Sequence, residues 1–282
     1  MSLSTVLGRP RAGAVRAATR PAASGASASW RWALLGGLVG LATTLAVFAP
    51  ARWAAWAVEQ ASDGRLRLDA PRGTVWNGSA GLVVTGGAGS RDTATLPSRV
   101  RWQLRPALPA TLRLSLSADC CTRSPMEGTV SWSPGVVRWE LADGPASHWP
   151  SDWLAGLGTP WNTLGLEGGL EVATRQLRLQ WSEQRLQVSG RAELTVRDAA
   201  TRLTPLRPVG SYRLTLEGGA VPGLHLQTLE GGLQLSGRGQ WVGGRLRFAG
   251  EARAQPGTEA ALDNVLNIIG RRDGARSLIT LG

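Results

Sequence analysis

The sequence predicts a mainly β protein, with an N-terminal single transmembrane helix followed by an antiparallel meander β-sheet domain. Three observations lead to this prediction. Residues 32–51 form an uncharged run of twenty residues, which is long enough to cross a bilayer. Beyond that run, apolar residues recur at every second position, which is the period of a half-buried strand. Glycine pairs separate the alternating segments at short intervals, as the tight turns of a meander require.

The chain begins with a basic segment, residues 1–29, which we predict to be a disordered cytoplasmic tail. The segment consists mainly of Ala, Ser, Gly, Pro and Arg and has few large apolar residues with which to build a core. No acidic residue precedes Glu59. Because arginines beside a first span stay on the cytoplasmic side, we expect the domain after the span to be periplasmic and the membrane to be the bacterial inner membrane.

The transmembrane anchor is predicted at residues 30–51. Twenty helical residues rise about 30 Å, the thickness of the hydrocarbon core of a bilayer. Trp30, Trp32, Trp53 and Trp56 lie near its two ends, where indole rings favour the headgroup zone. The alternative is a cleaved signal peptide, since residues 49–51 fit a small-x-small cleavage pattern. The length of the apolar run favours a retained anchor, because signal peptides usually have only about 7 to 15 apolar residues.

Residues 52–144 are predicted to form a first periplasmic β unit. It opens with one or two amphipathic helical turns over residues 52–61, for which Pro50 marks the start. The alternating segments are about six residues long, shorter than the roughly 9 to 11 residues with which strands of an outer-membrane barrel cross the bilayer. These segments lie at 65–69, 99–105, 111–116 and 137–141.

Residues 145–165 are predicted to be a linker, because three prolines interrupt the strand pattern there. A short helix is expected near 147–157. The alternation resumes in residues 166–282, the predicted second periplasmic β unit. The domain is therefore expected to form either one sheet or two β units, curled or sandwich-like.

The second β unit contains a predicted C-terminal helix at 258–269. Its four larger apolar residues recur at i, i+3, i+4 and i+7, so they share one face of a helix. Thr258 is expected to cap this helix and Gly270 to end it. The four apolar residues are Leu262, Val265, Leu266 and Ile269.

The net charge of +11 is carried by arginine, since the 31 basic residues include no lysine. Five of these arginines precede the apolar run, which leaves 26 against 20 acidic residues, or +6, on the part beyond it. Single arginines on alternating strands are typical of a solvated face, so nucleic-acid binding is not expected. An acidic protein partner or anionic lipid headgroups fit this charge better.

The sequence contains no recognisable catalytic, cofactor-binding or metal-binding group, and we do not expect an enzyme or a small-molecule substrate. Cys120 and Cys121 are adjacent, and redox or metal motifs would need a wider spacing. The two are expected to be structural cysteines or a rare vicinal disulfide. His148 and His225 are far from each other in sequence and from the cysteines.

A cluster of arginines follows the C-terminal helix, and it is the candidate partner site. Arg271, Arg272 and Arg276 surround a single acidic residue, Asp273. One interpretation is a C-terminal element that closes the sheet, with Asp273 paired locally. The functional interpretation is a basic turn that docks an acidic partner, because the helix end and one carboxylate cannot neutralise three guanidinium groups.

Two motifs resemble a known family. The first is the segment 73–80, Gly-Thr-Val-Trp-Asn-Gly-Ser-Ala, and the second is 266–277, Leu-Asn-Ile-Ile-Gly-Arg-Arg-Asp-Gly-Ala-Arg-Ser. Together with the N-terminal anchor, they are similar to protein N of the bacterial type II secretion system, over essentially residues 30–282. The resemblance implies an accessory inner-membrane component with a periplasmic domain, in a machine that exports folded proteins through a secretin. It implies no catalytic residues.

We therefore expect a non-enzymatic accessory or scaffold component of type II secretion, involved in protein export across the outer membrane. The expected location is the inner membrane, as a single-pass protein with its N-terminus cytoplasmic. The expected partners are inner-membrane platform proteins and the outer-membrane secretin. The alternative is an anchored periplasmic protein that binds a lipid or another hydrophobic ligand on the apolar face of its sheet.

Overall fold

A computed structural model describes most of the chain. Its helices α1 to α4 and strands β1 to β15 are numbered in chain order. The predicted cytoplasmic tail, residues 1–29, lies largely outside the described residues. The described residues are 26–87, 89–159, 161–183, 185–242 and 245–282.

The predicted anchor is helical, but it ends earlier than expected. Helix α1 spans Ala26–Val47, and its segment Trp30–Val47 is long and apolar enough to cross a membrane. The prediction continued the anchor to residue 51. Pro50 prevents this, because proline has no N–H for a helical bond and disfavours helical geometry in the residue before it. A second helix, α2 (Ala51–Ala61), begins at once and confirms the expected amphipathic turns.

The part of the chain from Val47 onward forms a separate compact unit, built on one 15-stranded antiparallel sheet. The mainly β prediction is thus confirmed. The strands are β1 (Leu66–Gly73), β2 (Asn77–Thr85), β3 (Thr93–Ala107), β4 (Thr111–Ala118), β5 (Met126–Ser133), β6 (Val136–Leu141), β7 (Ser147–Pro150), β8 (Glu167–Ser182), β9 (Arg185–Ala200), β10 (Gly210–Gly219), β11 (Gly223–Gly231), β12 (Leu233–Val242), β13 (Arg245–Ala254), β14 (Arg271–Asp273) and β15 (Arg276–Leu281).

The sheet is a meander from β1 at one end of the strand order to β14 at the other. Strands β6 and β7 both pair with β8, one after the other along its length. Because β8 continues the sheet from β6, the strands of residues 52–144 and 166–282 belong to one sheet. The segment 145–165 therefore connects β6 to β8 and adds β7 to the edge of β8. The division of the domain into two β units remains a prediction.

Several strands are longer than the roughly six residues expected from the alternation. Strand β3 has 15 residues, and β8 and β9 have 16 each. In β8 a bulge falls between Arg175 and Arg178, and Gln176 there has a positive φ of 49°. A bulge inserts one extra residue and so interrupts the period of two. The sequence therefore suggested shorter strands than the structure has. The comparison of six-residue strands with membrane-spanning strands was based on strand lengths that the structure shows to be wrong.

The linker contains the predicted short helix in modified form. Residues 147–150 are strand β7, and a 3₁₀ helix follows at Ser151–Leu157. A further turn of helix, α3, covers Trp161–Leu164. The segment approaches β2 so closely at Gly156 that only a glycine fits there. A Cβ at this position would lie 2.3 Å from the carbonyl oxygen of Val84.

The C-terminal helix α4 (Glu259–Ile269) packs its apolar face on the sheet, as predicted. Leu262, Val265 and Leu266 are buried there against residues such as Tyr212 and Ala252. The expected cap was wrong in its chemistry: the Thr258 side chain makes no capping hydrogen bond and donates instead to the carbonyls of Gly232 and Gln255.

Two further cores lie in the first half of the sheet. One contains Leu96, Val100, Ala118 and Cys121, and the other contains Ala51, Ala80 and Trp102. Ala51 brings the start of α2 into the second of these cores. The sheet thus buries apolar side chains in three separate clusters.

Candidate functional site

The predicted arginine cluster forms a β-hairpin at the end of the sheet. Strand β14 pairs antiparallel with β15, and Gly274 and Ala275 form the turn between them. Gly274 has a φ of +61°, a conformation that glycine adopts easily. At the other end of β14, a Cβ on Gly270 would lie 2.4 Å from the carbonyl oxygen of Leu278, so the close approach of β15 requires a glycine there.

The hairpin separates the three arginines onto two faces. Arg272 lies opposite Ser277, which is fully buried and pairs with buried Ala252, so this row faces α4. The Arg272 guanidinium donates to Asp263 of α4 at 2.8 Å and to the Gly274 carbonyl at 3.0 Å. Arg272 therefore links the hairpin to helix α4 by an ion pair.

Arg271 and Arg276 lie on the opposite face. Arg276 donates to Asp273 at 2.9 Å and lies 3.6 Å from Glu251. Arg271 is exposed and makes no ion pair with any residue in the described part of the chain. The expectation of one uncommitted guanidinium thus applies to Arg271. This group can still form a two-pronged hydrogen bond to a carboxylate of a partner.

A second candidate site is an apolar trough beside α4, with a volume of about 420 Å³. Helix α4 covers part of the apolar face, and the trough remains next to it. At its buried side, Tyr212 donates its hydroxyl to the Leu233 carbonyl at 3.1 Å, and burial raises the pKa of Tyr212. We call it the apolar trough; the residues that characterise it are Leu166, Leu194, Val196, Leu214, Leu224 and Leu226.

The cysteines form a vicinal disulfide in the turn between β4 and β5. Cys121 is buried in a core with Leu96 and Val100, while Cys120 donates its backbone N–H to Ser98. Both cysteines of the sequence are therefore bonded and have a structural role. Among the described residues, no three metal-binding side chains lie together.

Glu171 on β8 is the centre of a small charged cluster on the outer side of the sheet. Arg197 on β9 lies 2.8 Å from its carboxylate, and His148 on β7 lies 3.3 Å away. The hydrogen bond from Arg197 holds the pKa of the Glu171 carboxyl below its ordinary value of 4.5. The same hydrogen bond raises the pKa of Arg197. This cluster connects β7 and β9 to β8.

Acid should weaken this cluster. A carboxyl with a lowered folded-state pKa stabilises the fold above its ordinary pKa, and it loses that contribution as pH falls through the folded-state value. We expect the free energy of unfolding to decline as the pH falls below about 4.5, the ordinary pKa of a glutamate, and Glu171→Gln to make that decline shallower. Urea unfolding across this range measures the effect. Glu183→Gln, at an exposed position without an ion pair among the described residues, should leave the decline unchanged.

Comparison with known proteins identifies the family. Residues 64–279 match the model of the family described as type II secretion system (T2SS), protein N. No curated protein and no solved structure matches the chain. The matched region begins before β1 and ends within β15, so it includes the 73–80 motif and the arginine hairpin. The chain belongs to the type II secretion system protein N family and is a component of type II secretion.

Proposed function

We propose that this protein is a non-enzymatic scaffold of the type II secretion system, anchored in the inner membrane by α1 and carrying its sheet in the periplasm. The observation that supports this proposal is the combination of a family match over 64–279 with one apolar helix before it. The arginines that precede α1 favour a cytoplasmic N-terminus. A large antiparallel sheet offers an extended surface, which suits a role in holding other components.

Arg271 is our candidate for the contact with a partner. Its guanidinium is exposed on the terminal strand of the sheet, while Arg272 and Arg276 are engaged within the chain. We expect the partner to present a carboxylate on an inner-membrane platform protein or on the secretin. An exposed ion pair between Arg271 and a partner carboxylate suits an assembly whose components must also dissociate.

Co-purification and a topology assay test the scaffold proposal together. The full chain, extracted in mild detergent, should bring platform or secretin proteins with it. Alkaline phosphatase fused after Gly282 should be active, because this enzyme needs the periplasm. An inactive fusion with an active cytoplasmic reporter would overturn the orientation. Absence of every secretion component from the purified material would overturn the scaffold role.

The apolar trough supports a second candidate function, the binding of one lipid acyl chain. Its volume of about 420 Å³ falls in the usual range of ligand sites, and its characteristic residues are aliphatic. A protein anchored in a membrane is also always close to phospholipid. No charged group is needed inside the trough for such a ligand, because the headgroup would remain at the opening.

Filling the trough should remove the lipid. We expect Leu224→Trp to reduce the amount of phospholipid that stays bound to the purified full chain by at least about fivefold, since the larger ring occupies the space of the acyl chain. Native mass spectrometry counts the bound lipid. The Leu229→Trp variant, at an exposed position of the same strand β11, should bind as much lipid as the wild type. Equal lipid on the wild type and Leu224→Trp would exclude the trough as the site.

A further inference from the structure

Six turns of the meander lie at the same end of the sheet. In an antiparallel meander, alternate connections share an end, so the β1–β2 turn is at the same end as β3–β4, β5–β6, β8–β9, β10–β11 and β12–β13. The other connections lie at the opposite end. They include the disulfide turn and the segment that contains α4.

The five later turns at this end expose large apolar side chains. Leu108 at the β3–β4 turn is 98% exposed, and the others are between 48% and 55% exposed. Among the described residues near the connections of the opposite end, the exposed large apolar side chains are Trp161, Leu229 and Ile268, none above 45%. We call the first group the apolar rim: Leu108, Trp132, Trp181, Leu186, Val221 and Val242.

Strand register joins three rim residues and the neighbouring Val137, which is 47% exposed, in a continuous row. Trp132 of β5 lies directly opposite Val137 of β6, Val137 opposite Trp181 of β8, and Trp181 opposite Leu186 of β9. Residues directly opposite in an antiparallel pair project from the same face. Two tryptophans and two aliphatic residues thus form one exposed strip across four strands, and the hydrophobic cores do not cover it.

The chain enters this unit at the same end of the sheet. Pro50 bridges to Thr74 in the β1–β2 turn, and the Ala49 carbonyl accepts a hydrogen bond from Val75 at 2.8 Å. Only two residues separate Pro50 from Val47, the last residue of α1, so the two Cα atoms are at most about 11 Å apart. Trp53 and Trp56, in the first two turns of α2, are also exposed.

The charge around the rim is positive. Within three residues of the five turns the sequence has six arginines, namely Arg105, Arg113, Arg138, Arg185, Arg245 and Arg247, against two glutamates, Glu183 and Glu217. Glu217 is already paired with Arg191 at 2.7 Å. Exposed tryptophans together with surplus arginine are the combination that favours the interface of a membrane with anionic headgroups.

We propose that the apolar rim rests in the headgroup layer of the membrane in which α1 is anchored. The partner is thus a lipid surface, which the rim would contact over several turns. This contact would hold the end of the sheet that bears the rim against the bilayer and keep the opposite end, with α4, away from it. The inference depends on the anchoring part of the proposed function and on no protein partner.

Fluorescent labels on the full chain in liposomes test this contact. Because Cys120 and Cys121 are bonded to each other, a single added cysteine can be labelled selectively with the environment-sensitive dye NBD. The labelled positions are Leu108→Cys and Val242→Cys on the rim, Arg202→Cys at the opposite end and Leu38→Cys inside α1. The liposomes contain phosphatidylcholine and phosphatidylglycerol. In one set a fraction of the lipid carries a spin-label quencher near the headgroup, and in a second set, used for Leu38→Cys, the quencher lies near the end of the acyl chain.

We expect quenching at both rim positions to be at least about threefold stronger than at Arg202→Cys, because only groups at headgroup depth reach the quencher. Adding Trp181→Glu and Leu186→Glu to the Val242→Cys protein should bring its quenching towards that of Arg202→Cys. If Leu38→Cys is quenched but the rim labels match Arg202→Cys, the rim proposal is wrong and the anchoring stands. If Leu38→Cys is also unquenched, the anchoring fails and the rim proposal fails with it.

Discussion

Replacing Leu266 by alanine should lower the free energy of unfolding by about 2 to 5 kcal/mol, the largest stability effect we expect from a single substitution. Leu266 is 1% exposed on the face of α4 that packs on the sheet. Its removal leaves a cavity among Tyr212, Ala252 and Val265, which are fixed by the sheet and by the helix itself. The loss therefore includes both the transfer of the side chain and the unfilled space.

Urea unfolding of the full chain in detergent, followed by tryptophan fluorescence, measures this loss. The matched control is Ile268→Ala on the same helix, where the side chain is 45% exposed and the change should cost less than about 1 kcal/mol. Similar losses for the two variants would mean that α4 does not pack as described. In that case the helix could not define one side of the apolar trough.

Charge reversal at Arg271 should abolish co-purification of the secretion partner, together with secretion itself, and leave the fold intact. Arg271 has no ion pair among the described residues, so its replacement by glutamate removes no internal contact of that kind. The melting temperature should change by less than about 3 °C, because exposed charges contribute little to stability. Arg271→Lys should restore binding only in part, since a lysine cannot make the two-pronged contact.

Two other arginines provide controls for this experiment. Arg123→Glu reverses an exposed charge in the β4–β5 turn, which is nine strands away from β14 in the strand order, and should leave secretion normal. Arg272→Glu places a carboxylate beside Asp263 and should lower the melting temperature more than Arg271→Glu does. Normal secretion by the folded Arg271→Glu protein would show that the hairpin only closes the sheet.

The sequence was sufficient for features that depend on local periodicity and length. The uncharged run and the heptad-like spacing of Leu262, Val265, Leu266 and Ile269 fix a helix whatever surrounds them, because side-chain direction follows from the helical repeat. The alternation of apolar residues likewise fixed strands and their buried faces. These signals were enough to give the class of fold and the order of its elements, and the motifs near β1 and β14 gave the family.

The sequence was insufficient where the outcome depended on pairing between distant segments. The length of β8 was missed because a bulge at Gln176 shifts the period within the strand. The end of α1 was placed too late, because the extended backbone at Pro50 pairs with the β1–β2 turn. The vicinal disulfide was one of two alternatives that the spacing of the cysteines left open.

The same division holds for the sites. The sequence by itself determined that three arginines lie near one aspartate, that an apolar helix precedes the sheet and that the strands have one apolar face. Only the tertiary structure decided that Arg272 faces α4 while Arg271 faces outward, and that exposed apolar residues from five separate turns lie at one end. The physical reason is that hydrogen bonds between strands distant in sequence set the register, and the register determines which side chains share a face.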